Sequence, residues 1–197
     1  MRTGIGAASR QDLPAGYALA RTIDLKKDRR LAPAVQLVFG AFAALAVAIA
    51  VLLDLRSGSA RPLVLVPLTV VACLLYLAAH ELTHGVTLRV LTGVRPTYDV
   101  RLPFLTTSSE AYLARRAWLI VALTPVVLWG LLLTNLVMLM PVELRLGAFV
   151  VLALNFAGSA GDLVASAVVA RHPADALLHD AGETVAVYTR TTVPDEA

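Results

Sequence analysis

Cysteine is almost missing: Cys73 is the only one among 197 residues. One thiol excludes an internal disulfide, and it excludes a thiolate zinc cluster, which needs several. Charge is also scarce, at 16% of residues, and aromatics make up 6%. A soluble domain carries about 25% charged residues. Here 58% of the chain is apolar, more than one small core can hide, which argues against a soluble globular domain. So apolar and weakly charged a chain is not disordered either. There is no internal repeat and no low-complexity linker. What is left is one compact membrane domain, in keeping with a mean hydropathy of +0.74.

Four stretches are long enough to cross a bilayer core, which takes about 20 apolar residues of helix. They are Ala32–Leu53, Pro62 to about Leu91 (apolar to Ala79), Ala117–Met140 and Leu144–Ala170. The last is interrupted by Asn155, Ser159 and Asp162. The predicted class is therefore an all-α polytopic membrane protein of about four transmembrane helices with short cytoplasmic strand segments. It divides into an N-terminal arm (1–31), a membrane domain (32–170) and a C-terminal tail (171–197).

The net charge of +3 and a pI near 9.4 could suit nucleic acid, but the basic residues sit beside the apolar runs, where the positive-inside effect puts them. The arm holds seven Lys/Arg, the connection from Asp54 to Arg61 two, that from Arg89 to Arg116 five, that from Pro141 to Arg145 one, and the tail two. Both termini are thus expected in the cytoplasm of a multi-pass cell-membrane protein. The arm is not expected to be a cleavable signal, because the apolar run after it is long enough to span.

Strand character is expected at Tyr17–Leu25, at Arg95–Leu102 between Pro96 and Pro103, at Leu105–Tyr112, which could pair with it, and at Glu183–Thr191 with its alternating Val185 and Val187.

The second span ends in His80-Glu81-Leu82-Thr83-His84-Gly85, the pattern H-E-x-x-H on a helix. Residues four apart share a face, so both imidazoles can reach one zinc ion. Zinc lowers the pKa of a coordinated water to about 7, and Glu81, beside the first ligand, can act as its general base. Ionisable groups at mid-bilayer cost roughly 2.5–3.5 kcal/mol each on insertion scales, so three within five residues need a reason. The plainer account is a helix end at the membrane surface where His and Glu meet water.

A catalytic zinc needs a third protein ligand, and the candidate is Asp162. His80 lies 17 residues beyond Leu63 and Asp162 lies 16 beyond Leu146. At about 1.5 Å per residue both are roughly 25 Å from the outer face. Asn155, Ser159 and Asp162 form one helical stripe, and Gly158 and Gly161 would let another helix approach. The alternatives for Asp162 are an N-cap after Gly161 or a buried partner of Asn155. His172 and His179 read as solvated tail residues, Glu110 as a loop carboxylate and Asp180 before Gly182 as a turn. Arg115, Arg116 and Trp118 read as interface residues, and Pro125 as a kink without a catalytic role.

Three blocks, Ala79-His-Glu-Leu-Thr-His-Gly85, Ala122-Leu-Thr-Pro125 and Asn155 through Asp162 followed by Asp180, resemble a family of bacterial membrane proteins described as zincin peptidases and, more distantly, the site-2 proteases. The resemblance implies a membrane-embedded zinc peptidase, with His80 and His84 as ligands, Glu81 as base and Asp162 as the aspartate that a later span supplies in site-2 proteases. Its partners would be the lipid bilayer and a membrane protein or peptide substrate, with no nucleic acid. The strand at Tyr98–Leu102 could hold an extended substrate by strand addition. Two other readings of the same residues stay open: a zinc hydrolase of a small or lipid-like substrate, and a zinc-binding membrane scaffold without catalysis.

Overall fold

The computed structural model describes residues 9–55, 62–101, 104–182 and 184–191. Leu102 and Pro103, Glu183, and most of the turn after the first span lie outside these residues. Two strands open the chain, β1 (Ser9–Arg10) and β2 (Tyr17–Asp24). Helices α1 (Leu31–Leu52) and α2 (Pro62–Thr92) follow. Next come β3 (Thr97–Arg101), β4 (Phe104–Ser108) and β5 (Tyr112–Ala114), then α3 (Arg115–Leu139), α4 (Val142–Gly158) and α5 (Ala160–Val169). Strands β6 (Leu177–Asp180) and β7 (Thr184–Arg190) complete the described fold.

Four helical segments are long and apolar enough to cross a membrane, close to the bounds expected. Their outward faces are apolar: Leu63 is 92% exposed and Leu139 83%. A continuous surface of that kind is a liability in water and the expected one in lipid. At 31 residues α2 is about 46 Å long. It exceeds a hydrocarbon core of about 30 Å, so part of it stands outside such a core.

The fourth segment is not one regular helix. Ser159 separates α4 from α5, with its hydroxyl donating to the Asn155 carbonyl at 2.7 Å. Asp162 therefore lies in the first turn of α5, three residues past the N-cap Ser159, and is not itself the N-cap.

The strands are more than short separate segments. Five of them form one antiparallel sheet in the order β1-β5-β6-β7-β2. Both outer strands come from the N-terminal arm. Tyr17–Asp24 pairs with Thr184–Arg190, with a bulge between Leu19 and Arg21, so arm and tail lie side by side at one end of the bundle. Ile23, Leu113, Leu178 and Val187 from the sheet pack with Trp118 and Val169 from the helices as one core. A second cluster, Tyr76, Leu133 and Val151, holds α2, α3 and α4 together.

The close-packing glycines are not the two expected. Gly161 faces Leu25 of the arm, and Gly158 meets only Leu154 of its own helix. The tight approach of α4 to α2 is instead at Gly147, where a Cβ would stand 2.7 Å from the Thr69 hydroxyl.

As expected, β3 and β4 pair as a hairpin, from Thr97 opposite Ser108 to Arg101 opposite Phe104. The hairpin folds back on α2, and the Tyr98 phenol fills the space beside Gly85 that a Cβ would need. Gly85→Ala should therefore push Tyr98 out and loosen the hairpin, seen as faster proteolysis within 97–108 in detergent. In a Tyr98→Ala background the same change should stabilise α2 by about 1 kcal/mol, the helix-propensity gain of Ala over Gly, measured by thermal unfolding.

Candidate metal centre

The motif helix α2 presents Tyr76, His80 and His84 at successive four-residue steps, which places them on one face. That face meets the first turn of α5. His80 Nε2 stands 3.3 Å from Asp162 Oδ2 and His84 Nε2 stands 3.7 Å from Asp162 Oδ1. One ligand atom from each of the three residues lies within 4.8 Å of the others, so the three could hold one metal ion. The expected pair of histidines and the aspartate from the later span are brought together.

The donor set fits zinc. With bonds of 2.0–2.1 Å in a tetrahedron, neighbouring donors stand about 3.4 Å apart; the two imidazole nitrogens approach different oxygens of Asp162 at 3.3 and 3.7 Å. Two imidazoles and one carboxylate also leave a fourth position open, which a catalytic site requires.

Each histidine has a partner for its other ring nitrogen. His84 Nδ1 lies 2.9 Å from the Val121 carbonyl. His80 Nδ1 lies 3.0 Å from the Tyr76 hydroxyl, which donates to Asn155 Oδ1 at 2.7 Å. Asn155 is fully buried and donates from Nδ2 to the Val126 carbonyl at 3.1 Å. The polar stripe on the fourth segment is thus divided: Asp162 faces the histidines directly, while Asn155 reaches His80 through Tyr76. Trp129 on α3 secures the middle of the motif, its Nε1 donating to Thr83 Oγ1 at 3.0 Å.

Glu81 faces a cavity of about 160 Å³ together with His84 and Asp162. Its lining also includes Thr107, Ser108 and Ser109 from the end of β4 and the residue after it, and Ile23 and Val185 from the sheet. Thr107 Oγ1 donates to the Glu81 carbonyl at 3.0 Å, tying the hairpin to the motif. The strand beside the site is therefore β4, while β3 spends an edge on pairing with it.

Trp118 was expected at a membrane interface, but only 4% of it is exposed. Its Nε1 donates to Asp180 Oδ2 at 2.9 Å. The sheet covers this end of α3, so the ring faces protein and not headgroups. Asp180 does form the expected turn, accepting from the Gly182 N–H at 2.9 Å, and it also lines the cavity. Burial pushes its carboxyl above the usual carboxylate range, against the opposing pull of these two donors. His179 stands on β6, half-exposed and outside the metal cluster as expected, with its ring 5.3 Å from that of Tyr112.

Sequence reasoning missed Tyr76, Thr107 and the Trp118–Asp180 pair. A signal existed for the first, a phenol hydroxyl one helical turn before His80. The others depend on contacts between distant segments.

A family model described as "Putative zincin peptidase" matches residues 73–177, from the middle of α2 to the start of β6. No curated protein and no solved structure matches the chain.

Trp118→Phe keeps an aromatic ring but removes the indole N–H that Asp180 accepts and part of the buried ring area. It should cost about 1.5–3 kcal/mol for the hydrogen bond to a charged group, with a further loss for the smaller ring in the core. Thermal unfolding in detergent measures it, and Asp180→Asn in the same background should recover part of the loss.

Proposed function

Since the chain belongs to the zincin peptidase family, we propose that it is a membrane-embedded zinc metallopeptidase that cleaves peptide bonds of membrane-associated substrates near the cytoplasmic face. The single observation that carries this reading is the convergence of His80, His84 and Asp162 beside Glu81 and one cavity. His80, His84 and Asp162 would hold the zinc. When bound there, zinc supplies a Lewis acid and brings the pKa of a coordinated water to about 7.

The chain's own residues supply the rest. Glu81 faces the same cavity and is placed to take the proton from the attacking water and pass it to the leaving amine. The two imidazoles and Asp162 fix where that water stands. A peptide must be extended to be cut, because a helix hides its carbonyls in internal hydrogen bonds. β4 pairs with β3 on one side, and among the described residues its other edge pairs with no strand. That edge is the place for an extended substrate, held by main-chain hydrogen bonds, with Thr107 and Ser108 leading it to Glu81.

The Lys/Arg distribution supports a cytoplasmic position for the sheet end of the bundle, and the arm and tail meet there. The site would therefore open toward that side of the bilayer.

Purified protein should contain one zinc per chain, and Asp162→Ala should lose it. Glu81→Gln should retain the metal while turnover of membrane-spanning peptides in vesicles falls by about 10²–10⁴-fold, the usual worth of a general base. Cleavage of lipid-like amides or esters without peptide cleavage would favour the small-substrate hydrolase instead. Cellular function unchanged in Glu81→Gln would favour the scaffold.

A further inference from the structure

Behind the motif, α2, α3 and α4 leave a second cavity that shares no lining residue with the one Glu81 faces. It holds about 660 Å³, within the range of about 300–1,000 Å³ for ligand pockets. We propose that this cavity is the binding site for one acyl chain of a zwitterionic phospholipid. The proposal needs the bundle to sit in a bilayer, as the metallopeptidase reading does, but it does not need the protein to cleave anything.

Shape selects the occupant first. The lining runs along α2 from Pro62 to Ala79, 17 residues or about 25 Å of helix. A space of that volume and length is about 6 Å across on average. A helix with its side chains takes about 10–12 Å and does not enter, whereas a single hydrocarbon chain does. Val66, Leu68 and Leu75 line the space and are each more than half exposed. The groove is therefore continuous with the outward apolar surface of the bundle, the face that lipid tails cover in a bilayer.

Polar bookkeeping selects it again. An extended peptide is narrow enough, but its N–H and C=O groups would need partners along the groove. The polar side chains of the wall already donate within the bundle. The Thr69 hydroxyl donates to the Leu65 carbonyl at 2.8 Å, Tyr76 to Asn155 Oδ1 at 2.7 Å and Trp129 Nε1 to Thr83 Oγ1 at 3.0 Å. Glu143 is the exception, and it is exposed at the end of the groove with Pro62 and Met140, away from the sheet. Arg145 reaches the same end, donating from Nη2 to the Met140 carbonyl at 3.3 Å, and its Nε has no hydrogen-bond partner among the described residues. A carboxylate and a guanidinium at the mouth match the ammonium and phosphate of a zwitterionic headgroup, and the apolar depth matches its tail. The far end of the groove is closed by Tyr76 and Trp129, which bond His80 and Thr83, so a bound tail braces the motif helix from behind.

The test uses the two tryptophans of the chain. Trp129 lines the groove, while Trp118 is buried in the core under the sheet. Trp129 stands 11 residues before Met140, about 16 Å from the mouth. Protein stripped by detergent exchange until no phosphorus remains is titrated in micelles with phosphatidylethanolamine brominated on its chains. Quenching should saturate at one lipid per protein and be stronger for bromines in the far half of the chain than for bromines beside the ester. It should survive Trp118→Phe and vanish in Trp129→Phe. Ala72→Phe on α2 and Ala148→Phe on α4 each put a ring into the groove and should abolish the saturable phase. Quenching that rises with lipid and never saturates overturns the proposal, as does a saturable phase undiminished in the filled variants that fold. Displacement of the lipid by one membrane-spanning peptide per protein also overturns it and assigns the groove to a helix. If neither filled variant folds, the wild-type stoichiometry and Trp129→Phe decide. Zinc content and peptide turnover do not enter, so this proposal and the metallopeptidase reading fail separately.

Discussion

A polar group inside an apolar bundle must find its partner within the protein, because leaving it unpaired costs several kcal/mol. The arrangement of helices in this chain follows from that constraint. Tyr76, His80 and His84 project from α2 toward the other helices of the bundle. Each is answered by a different helix: His80 and His84 by Asp162 of α5, Tyr76 by Asn155 of α4, and His84 also by the backbone of α3. The break at Ser159 belongs to the same scheme, since it separates the turn that carries Asn155 from the turn that carries Asp162.

The same network prepares the site for chemistry. The sheet closes one end of the bundle over the motif, and the hairpin β3–β4 is pinned to it twice, by Tyr98 against Gly85 and by Thr107 on the Glu81 carbonyl. Glu81 is thus held by its backbone while its side chain faces the cavity. Positions fixed by packing and outer hydrogen bonds lose less freedom when a ligand arrives, which is what preorganisation means at a metal site.

Much of this was legible in the sequence, and the reason lies in distance along the chain. His80, Glu81 and His84 form a local motif on a helix, so their shared face follows from helical geometry alone. Asp162 was reachable because two spans running in the same direction place residues at equal depth. The four spans and the β3–β4 hairpin are likewise set by composition and by neighbours in sequence. The five-stranded sheet was only half visible. The strands at Tyr17–Leu25 and Glu183–Thr191 show in their patterns, but nothing local says that residues more than 150 positions apart are paired. Trp118 was misread for the same reason: its polar partner, Asp180, belongs to a strand 62 residues away. Pro125 lies inside one continuous helix, α3, and that the Val121 carbonyl one turn before it meets His84 Nδ1 is a matter of tertiary structure.

The arm and the tail have a consequence for the shape of the cavity. The matched segment, 73–177, contains every residue of the metal cluster but not Ile23 or Val185, which wall part of the cavity. Those two residues stand on β2 and β7, strands that hold each other by main-chain bonds. The reactive half of the pocket and its enclosing half are therefore encoded in separate stretches of chain. Ile23 and Val185 shape the enclosed side of the cavity without belonging to the donor set on α2 and α5. The donors and part of the wall that encloses them are thus supplied by different stretches of one chain.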